Sequence, residues 1–330
     1  MAAAEGSRSL IKKSKWLATG ALVAGANVFS RFDPKSAITV VADPRGGSTW
    51  LFEVLQGIPG VATVYEPLHL QNVPRLRRLG IGWEQHIPED VSWPEVMRFF
   101  EDIYEGRVLN RFTCSYSNPL DYYRAERLLV KFVRAKLLLP WLLNRFRFDL
   151  KPLVLTRHPM AVAASMMRHT GWQHAPAAFP IPEERFAEFF EPHRARLAAV
   201  STVEERHVAK WCLANQYLLQ HAGNNRDWIT IHYEHLVLAP QAVLTHVFNT
   251  WGMEMPRRIV DRLSIRSRTT VDLASDRSEQ VQKWRRRFDS ETRKRLLDLM
   301  DYFEVDLYGA GGLPNPRSSA AGFVPGEFAG

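Results

Sequence analysis

The chain has 330 residues, of which 46% are hydrophobic and 24% charged, and its formal net charge at pH 7 is +8. This length and hydrophobic content suffice for a large folded domain and exclude a wholly disordered chain. Two cysteines, Cys114 and Cys212, give no framework for a disulfide-rich or zinc-bound fold. The positive charge fits anionic partners of several kinds, namely nucleic acid, a membrane surface or a polyanionic cofactor.

Residues 1–35 are predicted to form an N-terminal extension. Lys12, Lys13 and Lys15 precede a moderately apolar stretch from Trp16 to Phe29. A basic region before an apolar one also fits a signal peptide, but the stretch is too short and too rich in Gly and Ala for a transmembrane helix, which needs about 20 predominantly apolar residues. We expect a helix packed beside the main domain of a cytoplasmic protein, with peripheral membrane contact through the lysines as an open alternative.

Five short apolar runs are predicted to be β-strands: Ile38–Ala42, Val61–Tyr65, Leu128–Phe132, Leu153–Thr156 and Ile229–Tyr233. Their near-continuous apolar character is typical of parallel strands covered on both faces. Helical patterns fall between them, at Thr49–Leu55, Met160–Arg168 and Val203–Gln220. The alternation predicts an α/β fold with a central parallel sheet flanked by helices, in one domain over residues 36–310.

Two stretches interrupt the alternation, Leu70–Glu126 and Gly171–Arg196. Insertions over the carboxyl edge of a sheet often shape an acceptor pocket, and surface packing is an equal alternative. From Gly311 onward the chain is rich in Gly, Pro, Ser and Ala. This composition predicts a disordered tail over residues 311–330.

The loop after the first predicted strand has the composition of a phosphate-binding turn. It consists of Arg45, Gly46, Gly47, Ser48, Thr49 and Trp50. A strand, two glycines and hydroxyls opening a helix direct consecutive backbone N–H groups at one anion. The nucleotide triphosphatase loop, G-x-x-x-x-G-K-S/T, carries a Lys and holds Mg²⁺, whereas the cation here, Arg45, precedes the glycines. The ligand should therefore carry a terminal phosphate rather than a metal-bound triphosphate, and no metal is expected.

A second strand, turn and helix follow at the fourth predicted strand. Arg157 lies at the strand end, and Pro159 suits the first helical position. Ser165 lies on the helix face that leads back toward the helix start. Alone the pattern is weak, because an Arg at a strand end often makes a salt bridge and a helical Ser usually bonds to its own backbone. With the first loop it predicts a second phosphate clamp, which suits a nucleotide with anions at two ends.

These motifs resemble those of the sulfotransferases that use 3′-phosphoadenosine 5′-phosphosulfate (PAPS). Pro44–Leu51 is similar to the first family motif, P-K/R-S/G-G-S/T-S/T-W-L, and Arg157–Ser165 to the second, an Arg followed by Pro and then Ser eight positions on. Ile231–Leu236 resembles the family's RYEDL strand end more loosely. Tyr65–Leu68 and Gln282–Arg285 resemble the YEPL and KWR segments of the carbohydrate branch. Gly46 departs from the usual Ser and His158 from the usual Asp.

The resemblance implies a P-loop-type three-layer fold that uses PAPS without a metal and transfers the sulfuryl group to a hydroxyl acceptor, a carbohydrate or glycolipid. It implies that the 5′-phosphosulfate binds the turn formed by Gly46, Gly47, Ser48 and Thr49. Trp50 would lie near the adenine, or serve as a core tryptophan instead. Arg157 and Ser165 would hold the 3′-phosphate, and Lys283 would close over it or remain a solvated charge.

Arg45 is predicted to neutralise the bridging oxygen of the leaving phosphate, with a surface ion pair to Asp43 as the alternative. Glu66 and His69 follow the second strand and are candidate bases for the acceptor hydroxyl. The resemblance favours Glu66, which could instead only organise its loop. Lys131 and Arg134, at the end of the third strand, resemble a family position that faces the acceptor, with exposure to solvent as an equal alternative.

Two other classes of protein remain open. A nucleotide or sugar kinase would use the same sheet, but it should carry a Lys inside the loop and an acidic strand end for Mg²⁺. A non-catalytic anion-binding module fits the charge and gives no reason for Glu66 beside a phosphate loop. Nucleic-acid binding is not expected, because the arginine clusters are scattered and lack Cys/His fingers.

Overall fold

One parallel sheet forms the centre of the computed structural model, which describes residues 19–29, 31–169, 171–172, 176–265 and 276–328. Its spatial order is β2-β3-β1-β4-β5. The strands are β1 (Ile38–Ala42), β2 (Val61–Tyr65), β3 (Arg127–Phe132), β4 (Leu153–Thr156) and β5 (Ile229–His232). The predicted strands are confirmed except at two ends, since β3 begins one residue earlier and β5 ends before Tyr233, which opens a helix.

Helices surround the sheet. Residues 19–29 are helical. The other α-helices in the described parts of the chain are α1 (Ser48–Leu55), α2 (Arg75–Arg78), α3 (Pro94–Tyr104), α4 (Leu139–Leu143), α5 (Pro159–Met167), α6 (Arg194–Ala198), α7 (Val203–Leu219), α8 (Tyr233–Leu238), α9 (Pro240–Thr250), α10 (Arg257–Arg262), α11 (Arg277–Gln282) and α12 (Ser290–Tyr302). Short 3₁₀ turns lie at Pro34–Ser36, Pro119–Tyr123, Lys136–Leu138, Ala187–His193, Lys283–Arg286 and Gly326–Phe328.

Both faces of the sheet are covered, which explains why its strands are apolar throughout. Successive side chains of a strand point to opposite faces. In β1, Val40 packs with α1 and α9 in one buried cluster, whereas Val41 packs with α3 in another. The α/β fold with a central parallel sheet flanked by helices is therefore confirmed.

The sheet order creates a crevice between β1 and β4. The connection after β1 leads to β2 at one edge of the sheet, and the connection after β4 leads to β5 at the other edge. In doubly wound sheets, ligands bind outside the carboxyl ends of the strands where the connections diverge in this way. The loops beginning at Asp43 and at Arg157 leave the sheet at this point.

The two ends of the described chain pack on the domain. In the helical segment 19–29, Val23 and Ala26 are buried, and the side-chain amide of Asn27 donates to the carbonyl oxygen of Leu109 at 2.6 Å. Lys12, Lys13 and Lys15 lie outside the described residues. Within the described residues, no helix has the length and apolar character needed to cross a membrane.

The C-terminal segment differs from the disordered tail that its composition predicts. Ala320 and Ala321 are buried in a hydrophobic cluster, and the Nε2 of His232 lies 2.6 Å from the carbonyl oxygen of Ala321. Ser318 donates from its hydroxyl to a carboxylate oxygen of Asp306 at 2.8 Å. The prediction is wrong because small residues such as Ala320 and Ala321 can be buried in a core. Composition alone does not distinguish such a segment from a flexible linker. The division of the chain at residues 35 and 310 stays a prediction.

Candidate functional site

A cleft of about 660 Å³ opens at the carboxyl edge of the sheet. The predicted site residues that line it are Arg45, Gly47, Ser48, Thr49, Trp50, Glu66, His69, Arg157, Ser165 and Lys283. Gly46, which is also predicted to bind the cofactor, is not among the described residues that line the cleft. It is buried, and its N–H donates to the carbonyl oxygen of Asp43 at 3.0 Å. Two loops and the strand end at Glu66 therefore share one cavity.

The turn after β1 has an unusual backbone. Arg45 and Gly47 have φ angles of 64° and 90°, in the left-handed region. A Cβ on Gly47 would lie 2.2 Å from the Cδ2 of Tyr233, so only glycine fits there. The first N–H groups of a helix have no intrahelical partner, which leaves those of Ser48 and Thr49 at the N-terminus of α1 available to an anion.

Arg157 joins the two loops. Its Nη1 donates to the carbonyl oxygen of Arg45 at 3.0 Å, and its Cζ lies 4.2 Å from the centroid of the Tyr233 ring. The side chain is 8% exposed, and its buried Nε has no hydrogen-bond partner. The guanidinium of Arg157 thus places a positive charge in the lining of the cleft, and its Nε–H makes no hydrogen bond in the described structure.

Ser165 has a different immediate partner from the one that the sequence predicts. Its hydroxyl accepts a hydrogen bond from the Nε of Arg45 at 3.2 Å. The loop after β1 is therefore tied to the helix after β4 by Arg45 as well as by Arg157. Burial and the neighbouring Arg157 lower the pKa of Arg45, since two cations that share a pocket destabilise each other's charged form.

Glu234 supports this loop from beneath. One of its carboxylate oxygens accepts from the backbone N–H of His158 at 2.9 Å, and the other accepts from the hydroxyl of Tyr308 at 2.9 Å. Burial raises the pKa of Glu234. Its hydrogen bonds in the described chain are to the backbone of His158 and to Tyr308, which gives it a structural role.

His158, which stands where the resembled motif usually has Asp, caps helix α5. Its Nδ1 accepts from the backbone N–H of Met160 at 3.3 Å, and its Nε2 lies 2.9 Å from the carbonyl oxygen of Gly309. These partners require a proton on Nε2 and none on Nδ1. Burial lowers the pKa of His158 to about 4, so the neutral imidazole does the capping that a carboxylate would otherwise do.

Lys131 connects the phosphate-binding turn to the candidate base. Its Nζ donates to the Oγ1 of Thr49 and to the Oε1 of Glu66, both at 3.0 Å. The side chain is 1% exposed, so the alternative of a solvated surface lysine is wrong. Burial lowers the pKa of Lys131, and the Glu66 carboxylate opposes that shift. Glu66 itself has a φ of 44°, an uncommon conformation of the kind that clusters at functional sites.

His69 lies against aromatic rings on the same side of the cleft. Its ring centroid is 4.9 Å from that of Phe112 and 5.4 Å from that of Trp83. Its Nδ1 lies 3.1 Å from the side-chain amide nitrogen of Asn72. Burial and the charge of Arg134 lower the pKa of His69. The imidazole is consequently neutral at pH 7 and able to accept a proton.

Asp43 does not pair with Arg45, so the alternative interpretation of Arg45 as a surface ion pair is wrong. Its carboxylate accepts from the Nζ of Lys136 at 2.7 Å and from the amide of Asn215 at 3.2 Å. Lys136 also donates to Asn215. This buried network fixes the start of the turn and leaves Arg45 to the cleft.

Two further predicted residues, Lys283 and Trp50, line the cleft. The Nζ of Lys283 donates to the side-chain oxygen of Gln280 at 3.0 Å, and the amide of Gln280 lies 3.3 Å from the hydroxyl of Tyr233. The indole N–H of Trp50 donates to the carbonyl oxygen of Ile265 at 3.1 Å. The chain from Arg266 to residue 275 lies outside the described residues.

Sequence reasoning missed several residues that line the cleft: Phe112, Arg168, His169, Trp172, Tyr233 and Gln280. Phe112 and Trp172 belong to the two insertions, and Arg168 and His169 closely follow Ser165. Tyr233 lies in the segment that resembles RYEDL, but the sequence alone assigns it no role at the site. Among the described residues, no group of three or more His, Cys, Asp and Glu is placed to hold a metal ion.

Several solved structures resemble the chain. The sulfotransferase domain of the Synechococcus PCC 7002 olefin synthase is 20% identical, with 84% of this chain and 97% of that chain covered and a TM-score of 0.45. The mouse sulfotransferase SULT7A1, complexed with PAP, is 16% identical, with 88% and 91% covered and a TM-score of 0.43. A sulfotransferase domain from the curacin biosynthetic pathway is 16% identical, with 81% and 98% covered and a TM-score of 0.42. No protein-family model matches the chain, and no curated protein matches it significantly.

Proposed function

We propose that this protein is a PAPS-dependent sulfotransferase that modifies a hydroxyl group, on a carbohydrate or glycolipid acceptor. The observation that carries the proposal is the contact between the two phosphate loops, in which Arg157 donates to the backbone of Arg45 and Arg45 donates to Ser165. A nucleotide with anionic groups at two positions of its ribose needs two donor clusters facing one cavity. A nucleotide with a single phosphate chain needs only one.

The residues of the cleft fit such a nucleotide. The buried Nε of Arg157 has no partner, and a buried donor left unpaired costs free energy that an anion would recover. Gly47 permits a close backbone approach at the N-terminus of α1. Gly47, Ser48 and Thr49 would hold the 5′ end, and Arg157 the 3′-phosphate. When bound, PAPS supplies a sulfuryl group on a phosphate leaving group.

Arg45 would stabilise the negative charge that develops on the leaving phosphate. A guanidinium remains charged at any working pH and presents a planar fork of donors, but it is a poor proton donor. Its position beside Arg157 and Ser165 is fixed in advance of reaction by hydrogen bonds, which is the condition under which such a charge contributes most to catalysis. Lys131, which contacts Thr49 at the turn, adds a second cation at the same end of the cleft.

Glu66 is our first candidate for the base that accepts the proton of the acceptor hydroxyl, and His69 is the second. Lys131 fixes the orientation of the Glu66 carboxylate through the contact at 3.0 Å. His69, neutral because burial lowers its pKa, borders the same cavity. A carboxylate or an imidazole within one hydrogen bond of the acceptor serves this purpose.

Calorimetric titration separates this proposal from its competitors. Adenosine 3′,5′-bisphosphate should bind without added metal and more tightly than Mg-ATP, whereas a kinase would show the reverse preference. Transfer of radiolabelled sulfate from PAPS into a fractionated extract of the native cells would then report the acceptor class. Failure of the bisphosphate to bind, or equal binding of both nucleotides, would overturn the proposal.

A further inference from the structure

We propose that the acceptor carries a carboxylate in addition to the hydroxyl that is modified, and that Arg134 binds this carboxylate. The inference rests on the proposed function, because it concerns the acceptor half of the same cleft. It narrows the acceptor to hydroxy acids, which include uronic-acid sugars. The assignment comes from three properties of Arg134: its burial, the absence of an ion pair to it among the described residues, and its position.

Arg134 is a half-buried arginine in the lining of the cleft. Its Cζ lies 4.1 Å from the centroid of the Trp83 ring, so its guanidinium plane has an aromatic support. Its Nε is buried and has no hydrogen-bond partner. Burial lowers the pKa of Arg134, and the charges of Glu84 and Glu66 oppose that shift only in part, as expected for a cation taken out of water without full compensation.

The carboxylates near Arg134 are already neutralised by other residues. Glu66 pairs with Lys131, and Glu84 pairs with Lys210. None of the ion pairs in the described chain includes Arg134. One positive charge is therefore left over in this part of the cleft, and its planar fork of donors matches the geometry of a carboxylate.

The position of Arg134 assigns it to the acceptor rather than to the nucleotide. Arg45 and Arg157 follow β1 and β4, whereas Arg134 follows β3, on the other side of β1 and next to β2. The candidate base His69 contacts the same Trp83 ring as Arg134 does. An anion at Arg134 and a hydroxyl near His69 can consequently belong to one small molecule.

The test compares hydroxy acids with their methyl esters, which keep the hydroxyl and lose the charge. The probes are 4-hydroxyphenylacetate, 3-hydroxydecanoate and methyl β-D-glucuronide, each titrated beside its ester into protein saturated with adenosine 3′,5′-bisphosphate. At least one acid should bind roughly ten to a hundred times more tightly than its ester, the range expected for a hydrogen-bonded ion pair. Arg134→Gln should remove that difference and leave the affinity for the bisphosphate unchanged.

Arg98→Gln is the matched control, because Arg98 lies on α3 with a side chain that is 68% exposed. It should keep the full preference for acids. If every acid binds no better than its ester, or if Arg134→Gln keeps the preference, the inference is wrong and Arg134 only supports Trp83. The wild-type comparison stands even if a variant fails to fold. If the wild-type protein does not bind adenosine 3′,5′-bisphosphate at all, the proposed function is wrong instead.

Discussion

The Nη1 of Arg157 donates a hydrogen bond to the backbone carbonyl oxygen of Arg45 across a sequence separation of 112 residues. The side chain of one phosphate loop thereby holds the backbone of the other. Arg45 has a φ of 64°, a conformation that costs a non-glycine residue about 1 kcal/mol or more. The contact helps to offset this cost and makes the two loops a single binding surface.

Replacing Arg157 with glutamine is expected to weaken binding of adenosine 3′,5′-bisphosphate by roughly ten- to a hundredfold, the equivalent of one charge-assisted hydrogen bond. Binding of 5′-AMP, which has no 3′-phosphate, should change much less. Calorimetric titration of both nucleotides measures the difference, with Arg98→Gln as the control for an arginine-to-glutamine change at the surface. An equal loss for the two nucleotides would contradict the clamp.

A pair of glycine substitutions tests the packing of the phosphate-binding turn. Gly47 and Gly80 have φ angles of 90° and 71°, but a Cβ on Gly47 would lie 2.2 Å from Tyr233, whereas one on Gly80 would meet nothing within 4 Å. Gly80→Ala should cost about 1 kcal/mol of unfolding free energy from backbone strain alone. Gly47→Ala should cost about 1–3 kcal/mol more.

Chemical denaturation of both variants measures these free energies. Because the added methyl group must also move the turn or Tyr233, Gly47→Ala should weaken nucleotide binding, and Gly80→Ala should not. Equal stability of the two variants, with nucleotide affinity retained in both, would show that the turn tolerates a side chain.

Much of this architecture could be predicted from local patterns. The runs at Ile38–Ala42 and Leu153–Thr156 are apolar on both faces, as parallel strands require, and both appear with the predicted bounds. The two loops could be placed at one sheet edge, because parallel strands end on the same side. Long-range partners could not be predicted, since neither the contact of Arg45 with Ser165 nor that of Gly47 with Tyr233 leaves a sequence signal.

Charged residues were the least predictable part of the site. In the sequence Lys131 could face either the acceptor or solvent, yet it is 1% exposed, and it contacts Thr49 of the turn after β1 and Glu66 after β2. Asp43 is two residues from Arg45 but pairs with Lys136. The alternative that pairs Arg45 with Asp43 is therefore wrong, because the lysine that pairs with Asp43 lies 93 residues away in the chain.

Acid should destabilise the fold through His232. Burial lowers its pKa from the ordinary 6.5 to about 4. Between these two pH values the unfolded chain takes up a proton that the folded chain does not, so stability is fully present above pH 6.5 and is lost as the pH falls toward 4. The loss from one such residue is at most about 3 kcal/mol.

Denaturant titrations at several pH values test this in the wild type and in His232→Gln. The variant loses the contact with Ala321 at every pH, but its unfolding free energy should fall less steeply between pH 6.5 and 4. If the unfolding free energies of the two proteins fall equally steeply with pH, the pKa of His232 does not differ between the folded and unfolded states.

The identity of the catalytic base can be decided with a matched pair of carboxylates. Glu66 and Glu84 each pair with a lysine and are each 15% exposed in their side chains. Glu66→Gln should reduce sulfuryl transfer by about two to four orders of magnitude, the usual contribution of a general base, with bisphosphate affinity largely kept. Glu84→Gln should leave turnover within about threefold, because Glu84 does not line the cleft and the substitution changes an ion pair outside it.

His69→Gln completes the comparison through the pH dependence of kcat/KM. Burial and Arg134 lower the pKa of His69, so a reaction that relied on it would lose activity only as the pH falls below 6.5, where the imidazole becomes protonated. If Glu66 is the base, His69→Gln should retain most of the activity and leave the profile unchanged in that range. Disappearance of an acid limb below pH 6.5 in His69→Gln, together with an active Glu66→Gln, would transfer the role to His69, because only the imidazole could then be accepting the proton.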